Sequence, residues 1–138
     1  MLVTLTVATA AGLWLQRSGR RLGRSQPIQA ADGAPRERLV EADLGGPLGE
    51  RATLVQFSSA FCQPCRATRR VLDEVSQAVP GVAHLEVDAE SNLELVRRLD
   101  VRRTPTVLVL DATGGIVRRA SGQPRKADVI AALGEAVG

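Results

Sequence analysis

Aromatic residues are nearly missing from this chain: Trp14, Phe57 and Phe61 are the full set, and tyrosine does not occur. The core must then be aliphatic, assembled from Val, Leu, Ile and Ala. Cysteine is as scarce, with Cys62 and Cys65 alone, and histidine occurs once, at His84. A bridge across so short a loop cannot staple a fold, so a disulfide scaffold is excluded. A zinc site with four protein ligands would need more than these three side chains. Acidic residues are absent from residues 1–26, which hold Arg17, Arg20, Arg21 and Arg24. Taking these four from the chain's 18 basic residues leaves fourteen against 15 acidic ones. The net charge of +3 therefore arises in one short segment. The remainder has no basic excess with which to grip nucleic acid phosphates.

At 138 residues, 44% of them hydrophobic, the chain has room for one domain with a real core and a short appendage. Leu2 to Leu15 carries no charge and is apolar apart from Thr4, Thr6 and Thr9. As a helix this stretch reaches about 21 Å, against a hydrocarbon core of about 30 Å. A cleavable signal peptide with Ala8-Thr9-Ala10 as its small-residue site fits badly. No Lys or Arg precedes the apolar run, and the run before that site is too short. The arginines follow it instead, which places them in the cytoplasm and the N-terminus outside. The expectation is an uncleaved hydrophobic anchor helix with its juxtamembrane arginines over residues 1–24, short enough to suggest a misassigned start codon. A helix buried in the domain is the alternative. Residues 25–36, rich in Ala, Gly, Pro and Gln, read as a linker. Residues 37–138 read as a domain on the cytoplasmic side, or an extracytoplasmic one if the topology is inverted.

Within 37–138, Leu39-Val40 suggests a short edge strand, and Thr53 to Ser58 reads as a buried strand. Cys62-Gln63-Pro64-Cys65 follows and opens a helical pattern with Ala67, Val71, Leu72, Val75 and Val79 on one face, stopped by Pro80-Gly81. Val82 to Asp88 reads as a strand. A short helix capped by Ser91 or Asn92 turns Leu93, Val96 and Leu99 inward. Thr106 to Leu110 and Ile116 to Ala120 form a hairpin about the turn Asp111 to Gly115, and a last helix buries Val129, Ile130, Leu133 and Val137. The order β-α-β-α-β-β-α predicts an α/β fold, a central mixed sheet with helices on both faces. No internal repeat is visible. Cys62 then sits where a strand turns into a helix. Free backbone N–H groups and the positive end of the helix dipole stabilise a thiolate there. The thiolate is the form that attacks disulfides.

Leu54 to Ala136 resembles the thioredoxin family. Three landmarks carry the resemblance: the Cys62–Cys65 motif after a strand, Thr104-Pro105 before a strand, and Gly122 ahead of the last helix. It implies the three-layer thioredoxin-like fold and a protein-disulfide reductase. Cys62 would be the attacking thiol and Cys65 the buried resolving thiol. Pro64 would shape the helix start, and Pro105 would be a cis-proline beside the cysteines. The backbone of Thr104 would pair with an extended substrate. The implied partners are disulfide-containing proteins and a thiol electron donor, with the membrane reached through the N-terminal helix. No cofactor is implied beyond the redox-active Cys62–Cys65 disulfide, no metal, no nucleic acid, and a monomer.

Two departures bear on the chemistry. The family usually has Trp before the first cysteine and Gly after it; here Phe61 and Gln63 stand there. Where the family has a buried Asp paired with a Lys, this chain has Gln56 and His84, which suggests His84 as part of a proton relay to Cys65. The plain alternative is a strand histidine, hydrogen-bonded or solvated and otherwise idle. Two rival classes are a metal carrier built on the cysteines and His84, and a redox-inactive interaction module of the same fold. Arg66, Arg69 and Arg70 read as a solvated helix face, and Arg97-Arg98, Arg102-Arg103 and Arg118-Arg119 as surface pairs.

Overall fold

The computed structural model describes residues 28–30 and 37–138. The expected anchor over 1–24 lies outside them. Among the described residues no helix is long and apolar enough to cross a membrane.

The central strand sets the architecture. β2 (Ala52–Ser58) is buried at every position, as a strand covered on both faces must be. It pairs in parallel with β3 (Val82–Asp88) and antiparallel with β4 (Thr106–Asp111). A parallel pair needs a crossover, and α2 (Gln63–Ala78) supplies it. α2 ends at Pro80-Gly81, where Gly81 takes a left-handed φ of 79°. β4 turns back into β5 (Ile116–Ser121), and α4 (Lys126–Ala136) closes the chain.

Two further elements depart from the sequence-based expectation. Gln29–Ala30, inside the expected linker, form a two-residue strand β1 against β5, with Gln29 opposite Arg119. The open edge of β5 offers unpaired N–H and C=O groups that any extended segment can take up. The sheet order is thus β1-β5-β4-β2-β3. The edge strand expected at Leu39-Val40 is reduced to a single bridge between Arg38 and Gly115. The chain turns at once into the short helix α1 (Glu41–Leu44). Leu39 is nevertheless fully buried, and its N–H donates to the Gly114 carbonyl at 2.9 Å. Position 114 has to be glycine: φ is 84°, and a Cβ would lie 2.1 Å from the Leu39 oxygen.

The sheet separates two cores, aliphatic except for Phe57. α2 and α4 cover one face through Leu72, Val75, Val129 and Leu133, packed on Leu54, Val107 and Val109. On the other face α1 and α3 (Leu93–Arg98) contribute Leu44 and Leu95, packed with Phe57, Leu108 and Leu110. Helix registers depart slightly from expectation. Leu95, Val96 and Leu99 pack on the core as the helix and its C-cap turn toward the sheet, while Leu93, at the helix start, is 54% exposed. In α4 the inward stripe is Val129, Ala132, Leu133 and Ala136, leaving Ile130 half exposed.

Asp111 holds the β4–β5 turn. Its Oδ1 accepts from the N–H groups of Thr113 and Gly115, each at 2.9 Å, and from Thr113 Oγ1 at 2.7 Å. Burial pushes this carboxyl upward, but the hydrogen bonds outweigh it and hold the group below its ordinary value. A depressed folded value means stabilisation that is present above the unfolded pKa and lost as pH falls through the folded one. Asp111→Ala should cost about 1–3 kcal/mol in thermal unfolding at neutral pH. The gap to the wild type should close in acid, below about pH 4. An equal gap at both pH values would refute the assignment.

Candidate active site

A three-residue loop, Ser59 to Phe61, joins the buried end of β2 to the cysteine motif. Its last residue, Phe61, is in the left-handed region, φ 59°, with its ring fully exposed. A bulky residue occupies that region at a cost of about 1–2 kcal/mol, and here the cost accompanies an aromatic ring directed wholly into solvent. Cys62 is the N-cap of α2 in extended conformation, with Pro64 in the first turn. The Cys65 N–H donates to Cys62 Sγ at 3.2 Å. Sulfur at this cap receives both a free backbone donor and the dipole of a 16-residue helix, so negative charge on it is stabilised. Cys62 is partly exposed, Gln63 and Pro64 are exposed, and Cys65 is 2% exposed. The two sulfurs are joined in a disulfide. One sulfur is open to attack and the other shielded.

The Thr104-Pro105 peptide is cis, and Pro105 is buried. Gly122, in the left-handed region at φ 96°, donates its N–H to the Pro105 carbonyl at 2.7 Å. Thr106 Oγ1 donates to the Arg103 carbonyl at 2.6 Å. Ser59 Oγ and Thr104 Oγ1 lie 2.7 Å apart, which ties the segment before the cysteines to the proline loop. Nothing in the sequence singles out Ser59; its contact spans 45 residues and leaves no local signal.

Gln56 is fully buried beneath the motif, and its Nε2 donates to the Cys65 carbonyl at 2.8 Å. Its Oε1 lies 3.2 Å from His84 Nε2, and His84 Nδ1 lies 2.7 Å from Asp73 Oδ1. Gln56 and His84 thus meet in one network, with Asp73 as a third member that the sequence does not announce. Among the described residues no three His, Cys, Asp or Glu side chains group as a metal site. The arginines are less uniformly solvated than expected. Arg69 pairs with Glu86 through two bonds of 2.7 Å, and Arg118 pairs with Glu135. Arg119 donates to the Leu99 carbonyl. Arg66, Arg70 and Arg103 are exposed.

The thioredoxin family model matches residues 47–135, well over half of the chain. The chain belongs to the thioredoxin family. Rice thioredoxin H4-1 is 32% identical over 73 residues, covering 53% of each protein. Rice thioredoxin H5 is 33% identical over 60 residues, 44% of each. The chain spans about half the length of these curated relatives. Among solved thioredoxins, the short form of spinach chloroplast thioredoxin f superposes with a TM-score of 0.58 at 21% identity. That match covers 72% of this chain and 83% of the other. A point-mutant thioredoxin from Halobacterium salinarum gives 0.59 at 19% identity, covering 64% and 77%. At such identities the superpositions speak for the thioredoxin fold alone.

Proposed function

We propose that this thioredoxin-family protein is a thiol–disulfide oxidoreductase that works as a protein-disulfide reductase. One observation carries the reading: a partly exposed Cys62 capping a long helix, bonded to a buried Cys65 one turn in. In the reduced protein the Cys62 thiolate attacks a substrate disulfide, the substrate S–S bond breaks, and one substrate sulfur leaves as a thiolate. Cys65 then attacks Cys62, closes the intramolecular disulfide and releases the second substrate sulfur. A thiol donor restores the dithiol. Phe61, bare to solvent beside the nucleophile, is the apolar ring a substrate covers on docking. The Thr104 backbone at the proline loop offers the extended pairing edge. The N-terminal segment holds the domain at the membrane, facing the cytoplasm, where disulfide reduction prevails.

The test is reduction of insulin by the dithiothreitol-reduced protein, followed as turbidity from the freed B chain. Turnover well above the dithiothreitol background is expected. A reduced, folded protein that leaves insulin intact overturns the proposal. Labelling of Cys62 in intact cells by a membrane-impermeant maleimide checks the location, and labelling from outside reverses the orientation.

A further inference from the structure

On the face of the sheet that α2 covers, three side chains from three elements form one hydrogen-bonded line behind Cys65. Gln56 of β2 uses its Nε2 to bond the Cys65 carbonyl at 2.8 Å and Ser58 Oγ at 3.0 Å. A backbone carbonyl can only accept, so the NH2 end of the amide must face Cys65 and Oε1 must face His84. Across 3.2 Å from that oxygen, His84 Nε2 faces an acceptor. The other ring nitrogen is 2.7 Å from Asp73 Oδ1. The Asp73 side chain is 50% exposed, and as a carboxylate it too can only accept, so Nδ1 faces an acceptor as well. With an acceptor at each nitrogen, the site suits an imidazole that carries a hydrogen on both. Its side chain is 7% exposed, so solvent screens it little.

The charged side chains on the neighbouring elements pair with one another. On the strand of His84 itself, Glu86 faces the same side and is taken up by Arg69 of α2. From α4, Lys126 pairs with Glu74 of α2. The remaining helices lie across the sheet. Asp73 is half in water, while His84 is in contact with the amide that holds Cys65.

We propose that His84 is a positioning residue for the resolving thiol: kept doubly protonated by Asp73, it projects positive charge through Gln56 onto Cys65 and favours the Cys65 thiolate. The inference rests on the thiol–disulfide reading above. In the resolving step the Cys65 thiolate attacks Cys62 Sγ of the mixed disulfide. The Cys62–Cys65 bond forms, the bond to the substrate sulfur breaks, and the substrate departs as a thiolate. The proton that Cys65 gives up beforehand goes to solvent, because a doubly protonated imidazole has no lone pair for it. His84 thus acts by its field, a different role from a proton acceptor.

Ultraviolet thiolate absorbance of the fully reduced protein, followed against pH, tests this without any substrate. In His84→Gln the higher of the two thiolate transitions should rise by about one unit, a roughly tenfold smaller Cys65 thiolate fraction at neutral pH. His84→Lys, which keeps a charged donor, should leave that transition near its wild-type position. An unmoved transition in folded His84→Gln, or an equal rise in His84→Lys, overturns the proposal. Imidazole nitrogen NMR of the wild-type protein at neutral pH should show hydrogens on both ring nitrogens. A lone pair on either ring nitrogen overturns the proposal whether or not the variants fold. Neither readout involves insulin, so failure here and failure of the reductase reading are distinguishable.

Discussion

Cys65→Ser should attack a disulfide once and stop. The variant should keep Cys62 at the cap of α2, beside the backbone N–H of residue 65 that lies 3.2 Å from its sulfur in the wild type. The first exchange therefore proceeds, and the substrate stays covalently attached. In the wild type the second sulfur is one turn away, its Cα 5.2 Å from that of Cys62, and needs no diffusion to reach the mixed disulfide. A thiol so placed acts at molar effective concentration or above, on the order of 10³ times the millimolar thiols of an assay. Insulin turnover should fall by about that factor or more, while intact mass spectrometry shows one substrate chain bound per protein. Cys62→Ser should lose turnover and form no adduct, because the remaining sulfur is 2% exposed. Adducts on both variants would refute the division of labour between an open and a shielded sulfur.

That division is legible in the sequence because it follows from short-range patterns. A strand ending just before a cysteine, a helix beginning at it and Pro80-Gly81 ending that helix are local features, and the structure has β2, α2 and β3 within a residue of the expected spans. The cis peptide before Pro105 is implied by the family resemblance alone; nothing in the residues around Thr104 declares a peptide isomer. Less legible are features whose partners lie far along the chain. β1 exists because the edge of β5 was free, a property of the assembled sheet rather than of Gln29–Ala30. The Ser59–Thr104 contact joins two loops that only the fold brings together. Asp73 sits among charged residues on α2 and reads as one more solvated acid until β3 places His84 opposite it. Leu93 and Ile130 fail as core residues because apolar type alone does not fix the stripe of a short helix; the sheet it lands on does.

The largest stability loss from a single truncation is expected at Phe57. Two phenylalanines lie four positions apart and meet opposite fates: Phe57 is fully buried, Phe61 fully exposed. Among the described residues Phe57 is the one aromatic ring in the cores, set among Leu39, Leu95, Leu108 and Leu110 on the face covered by α1 and α3. Its strand is hydrogen-bonded on both sides, opposite Val87 of β3 and Thr106 of β4, so the backbone cannot collapse into a void. Phe57→Ala should then cost about 3–5 kcal/mol, a large part of the roughly 5–15 kcal/mol that holds a domain together. Urea unfolding followed by far-ultraviolet circular dichroism measures it, with the midpoint falling and the slope kept. Phe61→Ala removes a ring that touches no core and should change stability by less than about 0.5 kcal/mol, while weakening substrate docking. One residue before the end of β2, Phe57 anchors the strand from which the motif springs. A loss below about 1 kcal/mol would mean that this face of the sheet is not packed around the ring.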